Sequence, residues 1–214
     1  MLGDRSKYWD ISGPLDCLIP DGFPVASLVY PCYLRRMGFS LSWIAVRGKS
    51  PQEIRNVLAF RQTGEREEFP ESELTAAEAP NGWYLIVANR RMEVASDLKL
   101  QKLSESDCEV VTCIVEEHIM VSQASGWKNG SRTWFLNHDS QRGLRHLEVR
   151  GRLPEDFTAI RDELFASQTD ESCDYIFDIP IETARSLTGY RHDQDIPGLI
   201  GEVFEVLSEI KEGP

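Results

Sequence analysis

Asn129-Gly130 is the feature that most constrains the fold. It lies between two runs rich in β-branched and aromatic residues, 110–123 and 131–139. A two-residue type I′ hairpin turn needs φ > 0 at both central positions, and Asn followed by Gly supplies that without strain. The pattern predicts a long antiparallel hairpin. A third strand over 144–149, bracketed by Gly143 and Gly151, extends it into a meander.

If Asn129 and Gly130 are the turn residues, Lys128 faces Ser131, Val121 faces His138 and Met120 faces Asp139. Side chains alternate between faces. Val115, Glu117, Ile119, Val121, Trp134, Leu136 and His138 then share the more apolar face, which should meet the helices. Glu116, His118, Met120, Phe135, Asn137 and Asp139 share the other. On that second face His118 and Asp139 are diagonal neighbours, roughly 7–8 Å apart and within side-chain reach. A carboxylate there would orient the imidazole and raise its basicity, as a general base requires. Glu116 lies two residues along. A solvated polar patch fits the same residues.

The remaining elements follow from caps and periodicity. Residues 41–46 and 83–88 read as strands, the second opened by an Asn81-Gly82 turn. Ser50-Pro51-Gln52-Glu53 is a capping box with proline at the first helical position. Ile54, Val57 and Leu58 form its buried stripe and Gly64 its stop. Residues 65–81 contain Pro70, Pro80 and six glutamates, Glu65, Glu67, Glu68, Glu71, Glu73 and Glu78, and read as a long acidic loop. Residues 96–104 form a short helix with Leu98 and Leu103 partly buried. Pro154 opens a helix with Phe157, Ile160 and Leu164 inward. Residues 175–178 read as a short strand. Pro180 opens a helix with Ile181, Ala184 and Leu187 inward and Gly189 as its stop. After Pro197-Gly198, the apolar positions Leu199, Ile200, Val203, Phe204, Leu207 and Ile210 predict a final helix, with Glu202, Glu205 and Glu209 facing water. The fold class is α+β, an antiparallel meander with helices packed chiefly on one face. Residues 1–38 contain four prolines and no sustained period, and read as an N-terminal extension to a single domain over 39–214. Met37 is a candidate natural start.

The formal net charge is −12. Such a surface repels phosphate backbones and anionic membranes, so neither a nucleic acid nor a membrane is the expected partner. It attracts and steers a basic protein. No apolar run approaches the roughly 20 residues needed to cross a bilayer. The start of the chain lacks the continuous apolar run of a secretory signal. Five cysteines, with no C-x-x-C spacing, argue against a disulfide framework and a structural zinc site, and Cys113 reads as a core residue. A reduced, cytoplasmic protein is expected.

No phosphate loop, dinucleotide fingerprint, H-E-x-x-H or nucleophile elbow occurs, and nothing calls for a cofactor. His192, Asp193 and Asp195 are ligand types in a loop, but their spacing is nonspecific. Trp127, beside the hairpin turn, would anchor an interface if exposed. With Glu67, Glu68 and Glu71 it makes the candidate partner surface. The first functional expectation is a non-enzymatic binding protein that masks a basic partner, in the manner of small acidic immunity proteins. The alternative is a small hydrolase using His118, Asp139 and Glu116.

Several stretches form a recognisable set: Val46-Arg47-Gly48-Lys49-Ser50-Pro51, Thr63-Gly64-Glu65-Arg66-Glu67-Glu68, Gly82-Trp83-Tyr84-Leu85-Ile86-Val87-Ala88-Asn89, Glu116-Glu117-His118 and His138-Asp139. Over residues 43–207 the chain resembles a group of uncharacterised bacterial proteins. The resemblance implies no activity and carries no catalytic role over to these residues.

Overall fold

The computed structural model describes residues 38–210. The expectations for residues 1–37, including a start at Met37, lie outside the described residues. Among the described residues nine antiparallel strands form one sheet: β1 (Ser40–Arg47), β2 (Phe60–Glu67), β3 (Leu74–Glu78), β4 (Tyr84–Asn89), β5 (Glu109–Glu116), β6 (Val121–Lys128), β7 (Ser131–Asp139), β8 (Glu148–Gly151) and β9 (Phe204–Glu209). Their order is β2-β9-β3-β4-β1-β5-β6-β7-β8. Four α-helices within the described residues complete the α+β fold: α1 (Pro51–Leu58), α2 (Asp97–Leu103), α3 (Phe157–Ser167) and α4 (Asp178–Thr188). Among the described residues no helix is long and apolar enough to cross a membrane.

The sheet is covered on both faces, which explains why its central strands are apolar on both sides. The two longer helices serve one face, where Phe157 of α3 and Ile179, Ile181 and Ala184 of α4 pack with Trp43, Leu85, Val87, Val111, Cys113, Val115 and Leu136. The two shorter helices serve the other. There Ile54 and Leu58 of α1 and Leu100 and Leu103 of α2 pack with Ile44, Val46, Ile86, Val110 and Leu207. Cys113 is a core residue, and burial pushes its thiol well above the usual range.

Local signals with a chemical mechanism hold. Ser50 and Glu53 close the capping box, and Gly189 caps α4 in the left-handed conformation. Asn129 (φ 51°) and Gly130 (φ 71°) make the predicted hairpin turn, with Lys128 facing Ser131.

Long pattern readings fare worse. The run 110–123 is not one arm: it contains all but the first residue of β5, a turn over 117–120 and the start of β6. A strand of fourteen residues is more than twice the usual length, so a turn was due. Met120 takes φ 52° to make it. Residues 65–81 are not a loop, since β2 runs to Glu67 and β3 occupies Leu74–Glu78. The helix α1 stops at Leu58 with Ala59 in the left-handed region, well before Gly64. Residues 175–177 form a turn leading into α4, which begins at Asp178, and Leu187 is exposed, as is Leu98.

The largest difference is at the end. Residues 204–209 are the strand β9, inserted between β2 and β3, where a helix was predicted. Gly198 (φ 86°) and Gly201 (φ 83°) break the helix near its proposed start. The strand satisfies its backbone on both sides and sends Phe204 and Leu207 to opposite cores. Glu205 consequently points inward, not to water. Its Oε1 takes a 2.9 Å hydrogen bond from buried Arg55 and another from Tyr84, whose phenol lies well above its usual range through burial and that carboxylate. The ion pair pins the returning strand to α1.

Candidate functional site

The structure separates the proposed catalytic pair. His118 sits in the exposed turn after β5, where its Nδ1 meets Glu116 Oε1 at 2.8 Å. Glu116 also accepts from Ser40. Burial acts to raise its carboxyl, but these bonds outweigh it and hold the group below the usual range. Asp139 is committed elsewhere: its Oδ1 accepts from Gln141 N–H at 3.0 Å and opens a short 3-10 turn over Ser140–Arg142. So the expected His118–Asp139 contact is replaced by His118–Glu116, a two-residue contact at a solvated turn.

The register also moves. Trp127 pairs with Arg132 but Gly126 pairs with Trp134, so Thr133 is an extra residue in β7. Beyond this bulge every pair is shifted by one, and Val121 faces Asp139 where His138 was expected. The bulge lets the Trp134 indole lie over Gly126, where no side chain fits.

His138 keeps the inward face that alternation along β7 gives it with Trp134 and Leu136. It is fully buried and forms a histidine–carboxylate pair that sequence reasoning missed. Its Nε2 lies 2.9 Å from Asp174 Oδ2, and its Nδ1 donates to the carbonyl of His146 at 2.7 Å. A carbonyl only accepts, so Nδ1 carries a proton. Asp174 Oδ1 accepts from Phe177 N–H at 3.2 Å and so fixes the entry to α4. His146 in turn accepts the Asp139 N–H at 3.0 Å through its Nδ1. This ring is held below the ordinary histidine range by burial and by the nearby Arg142 and His138. Both nitrogens of His138 are engaged and its ring has no solvent contact. The pair ties β7 to α4 as a structural element. The only signal for it was Asp174, 36 residues distant in sequence, which no local pattern flags.

A second ionic centre lies after α4. Arg191 meets Asp178 at 3.0 Å, Asp193 at 2.7 Å and Glu182. Burial works against the guanidinium, but Asp178, Asp193 and Glu182 hold it charged and above its usual range. Burial pushes the Asp178 carboxyl above its usual range. Asp193, one of the ligand types singled out with His192 and Asp195, is thus taken by an arginine. Among the described residues no group of three or more His, Cys, Asp or Glu is placed to hold a metal ion.

The expected interface residues divide. Trp127 is 7% exposed, part of the core under α2, with its Nε1 donating to Ser125 Oγ at 3.0 Å. It packs in the same core cluster as Leu100 and Leu103 of α2 and presents no anchor. Glu67 ends β2 and binds Ser72 through both carboxylate oxygens, at 3.0 and 2.8 Å. Glu68 and Glu71 are exposed in the β2–β3 turn. Between them stands Phe69, 53% exposed, which the sequence reading did not single out. Five glutamates and one arginine fall within residues 65–73, and β2 is an edge strand, so this acidic corner faces solvent.

Comparison with protein-family models, with curated proteins and with solved structures finds no match for this chain.

Proposed function

We propose that this is a non-enzymatic binding protein that captures and masks a basic protein partner through the β2–β3 corner. The observation that carries the reading is Phe69, an exposed aromatic flanked by exposed Glu68 and Glu71. An exposed phenylalanine gains about 1.5–3 kcal/mol when fully covered, so it favours a partner over water. Its ring face attracts a lysine or arginine, by about 0.5–1 kcal/mol at an exposed site and more when water is excluded. The surrounding carboxylates and the net charge of −12 steer that cation in. Glu67, tied to Ser72, holds the turn rather than the partner.

Affinity capture from the host, with the parent chain and with Phe69→Ser and Glu68→Lys/Glu71→Lys, tests the proposal. The parent is expected to retain a basic protein that both variants release, and all three chains should melt alike because these side chains are exposed. A retained partner that is neutral or acidic, or one held equally by both variants, contradicts it.

A further inference from the structure

The sheet ends at β8, and the outer side of that strand is open. Val149, Arg150 and Gly151 are exposed, and among the described residues no strand pairs with that side. Arg152 N–H bonds the Thr133 carbonyl of β7 at 2.9 Å. The backbone groups of successive residues in an antiparallel strand point alternately to its two sides. Those of Glu148 and Arg150 therefore turn toward β7, and the N–H and carbonyl of Val149 turn outward. An open edge of this kind is a template for another strand.

The sequence of this edge is self-complementary. Laid antiparallel against a second β8 about a twofold axis through Val149, it sets Val149 opposite Val149, Glu148 opposite Arg150 and Arg150 opposite Glu148. The backbone agrees with that register. A hydrogen-bonded pair on the axis needs outward-facing groups, and Val149 has them: its N–H donates to the Val149 carbonyl of the second copy, and its own carbonyl accepts in return. The two valine side chains, each 42% exposed in the single chain, then cover one another on the face that Val149 shares with Leu136. On the opposite face Glu148 Oε1 binds its own Arg150, while Arg142 lies 3.9 Å from Oε2, beyond hydrogen-bond range. Oε2 can take the Arg150 of the second copy, so four charges alternate in sign across the axis. An axis through Glu148 or Arg150 would oppose like charges instead. Residues 142–152 carry four arginines and one glutamate, so this edge does not share the acidity of a chain of net charge −12. The other edge strand, β2, is interrupted by Gly64 (φ 93°) and offers no such match.

We propose that β8 joins two copies of this chain edge to edge, as a symmetric dimer with one continuous sheet. The contact lies at the opposite edge of the sheet from β2 and does not depend on the reading of the corner around Phe69.

Sedimentation velocity of the full chain over a range of concentrations, together with hydrogen exchange of its backbone amides, tests the proposal. The parent should pass from monomer to dimer with no larger species. Its Val149 amide should exchange more slowly as the dimer forms, a reading that needs no variant. Arg150→Glu and Glu148→Arg each set like charges across the axis and should weaken the dimer at least about tenfold. An equimolar mixture of the two variants should recover it, because each then carries the charges that the other lacks. The proposal is overturned if the parent stays monomeric at all concentrations, if species larger than a dimer form, if Val149 exchange is independent of concentration, or if the mixture associates no better than either variant alone.

Discussion

Replacing His138 with leucine should be among the most damaging single changes in the chain. The substitution removes the partner of Asp174, whose side chain is only 6% exposed, and leaves a buried carboxylate without its imidazole. Breaking a buried pair in this way costs about 3–5 kcal/mol. For a domain of this size each kcal/mol lowers the melting temperature by about 2–4 °C, so the fall should be about 6–20 °C. Asp174→Asn should behave differently. An amide can donate to Nε2 while its oxygen still accepts from Phe177, so the network survives at about 1 kcal/mol. The double variant His138→Leu/Asp174→Asn should be more stable than His138→Leu alone, because no charge is stranded. Calorimetry of the four proteins gives the coupling directly. If His138→Leu melts within about 1 kcal/mol of the parent, or if Asp174→Asn is equally damaging, the pair is not the structural tie described here.

Three further outcomes follow from single sites. Gly126→Ala would drive a methyl into the Trp134 indole and should cost about 1–3 kcal/mol, measured by urea unfolding; an unchanged midpoint would mean that the β7 bulge is misplaced. Ser42→Ala should stabilise the protein by about 1 kcal/mol, since it replaces a buried unpartnered hydroxyl with a methyl, and a clear loss of stability would mean that the hydroxyl is bonded in the fold. His146 is held below the ordinary histidine range by burial, Arg142 and His138. Its folded pKa therefore lies below the unfolded value of about 6.5, and in that window the unfolded chain binds more protons. Stability should fall as the pH drops from about 7 through this range, and thermal melts at the two ends should differ less in His146→Gln than in the parent.

What was legible in the sequence were features decided by one or two residues. The Asn129-Gly130 turn, the Ser50–Glu53 capping box and the Gly189 stop each depend on a local backbone requirement that few residue types meet. What was not legible depended on distant contacts. The stripe from Leu199 to Ile210 fits helix and strand alike, and only the gap between β2 and β3 decides for the strand. The turn over 117–120 has no glycine, proline or asparagine to announce it. Thr133 carries no sign that it is an extra residue, yet it shifts the register of the hairpin by one. That slip and the turn over 117–120 dissolved the His118–Asp139 pair, while His138 kept its expected inward face and found Asp174, 36 residues away. The acidic corner was readable from composition, but its aromatic, Phe69, carries no local sign of exposure and was not singled out.

The central claim is that a basic partner docks on the corner around Phe69, and association kinetics of the captured partner test it most directly. Charges on this surface are screened over about 8 Å at physiological ionic strength. The on-rate should therefore fall steeply between 0.05 and 0.5 M salt, and Glu68→Lys/Glu71→Lys should flatten that dependence, while Phe69→Ser should act mainly on the off-rate. An on-rate indifferent to salt, or a parent and a charge-reversed chain with the same dependence, would contradict the account.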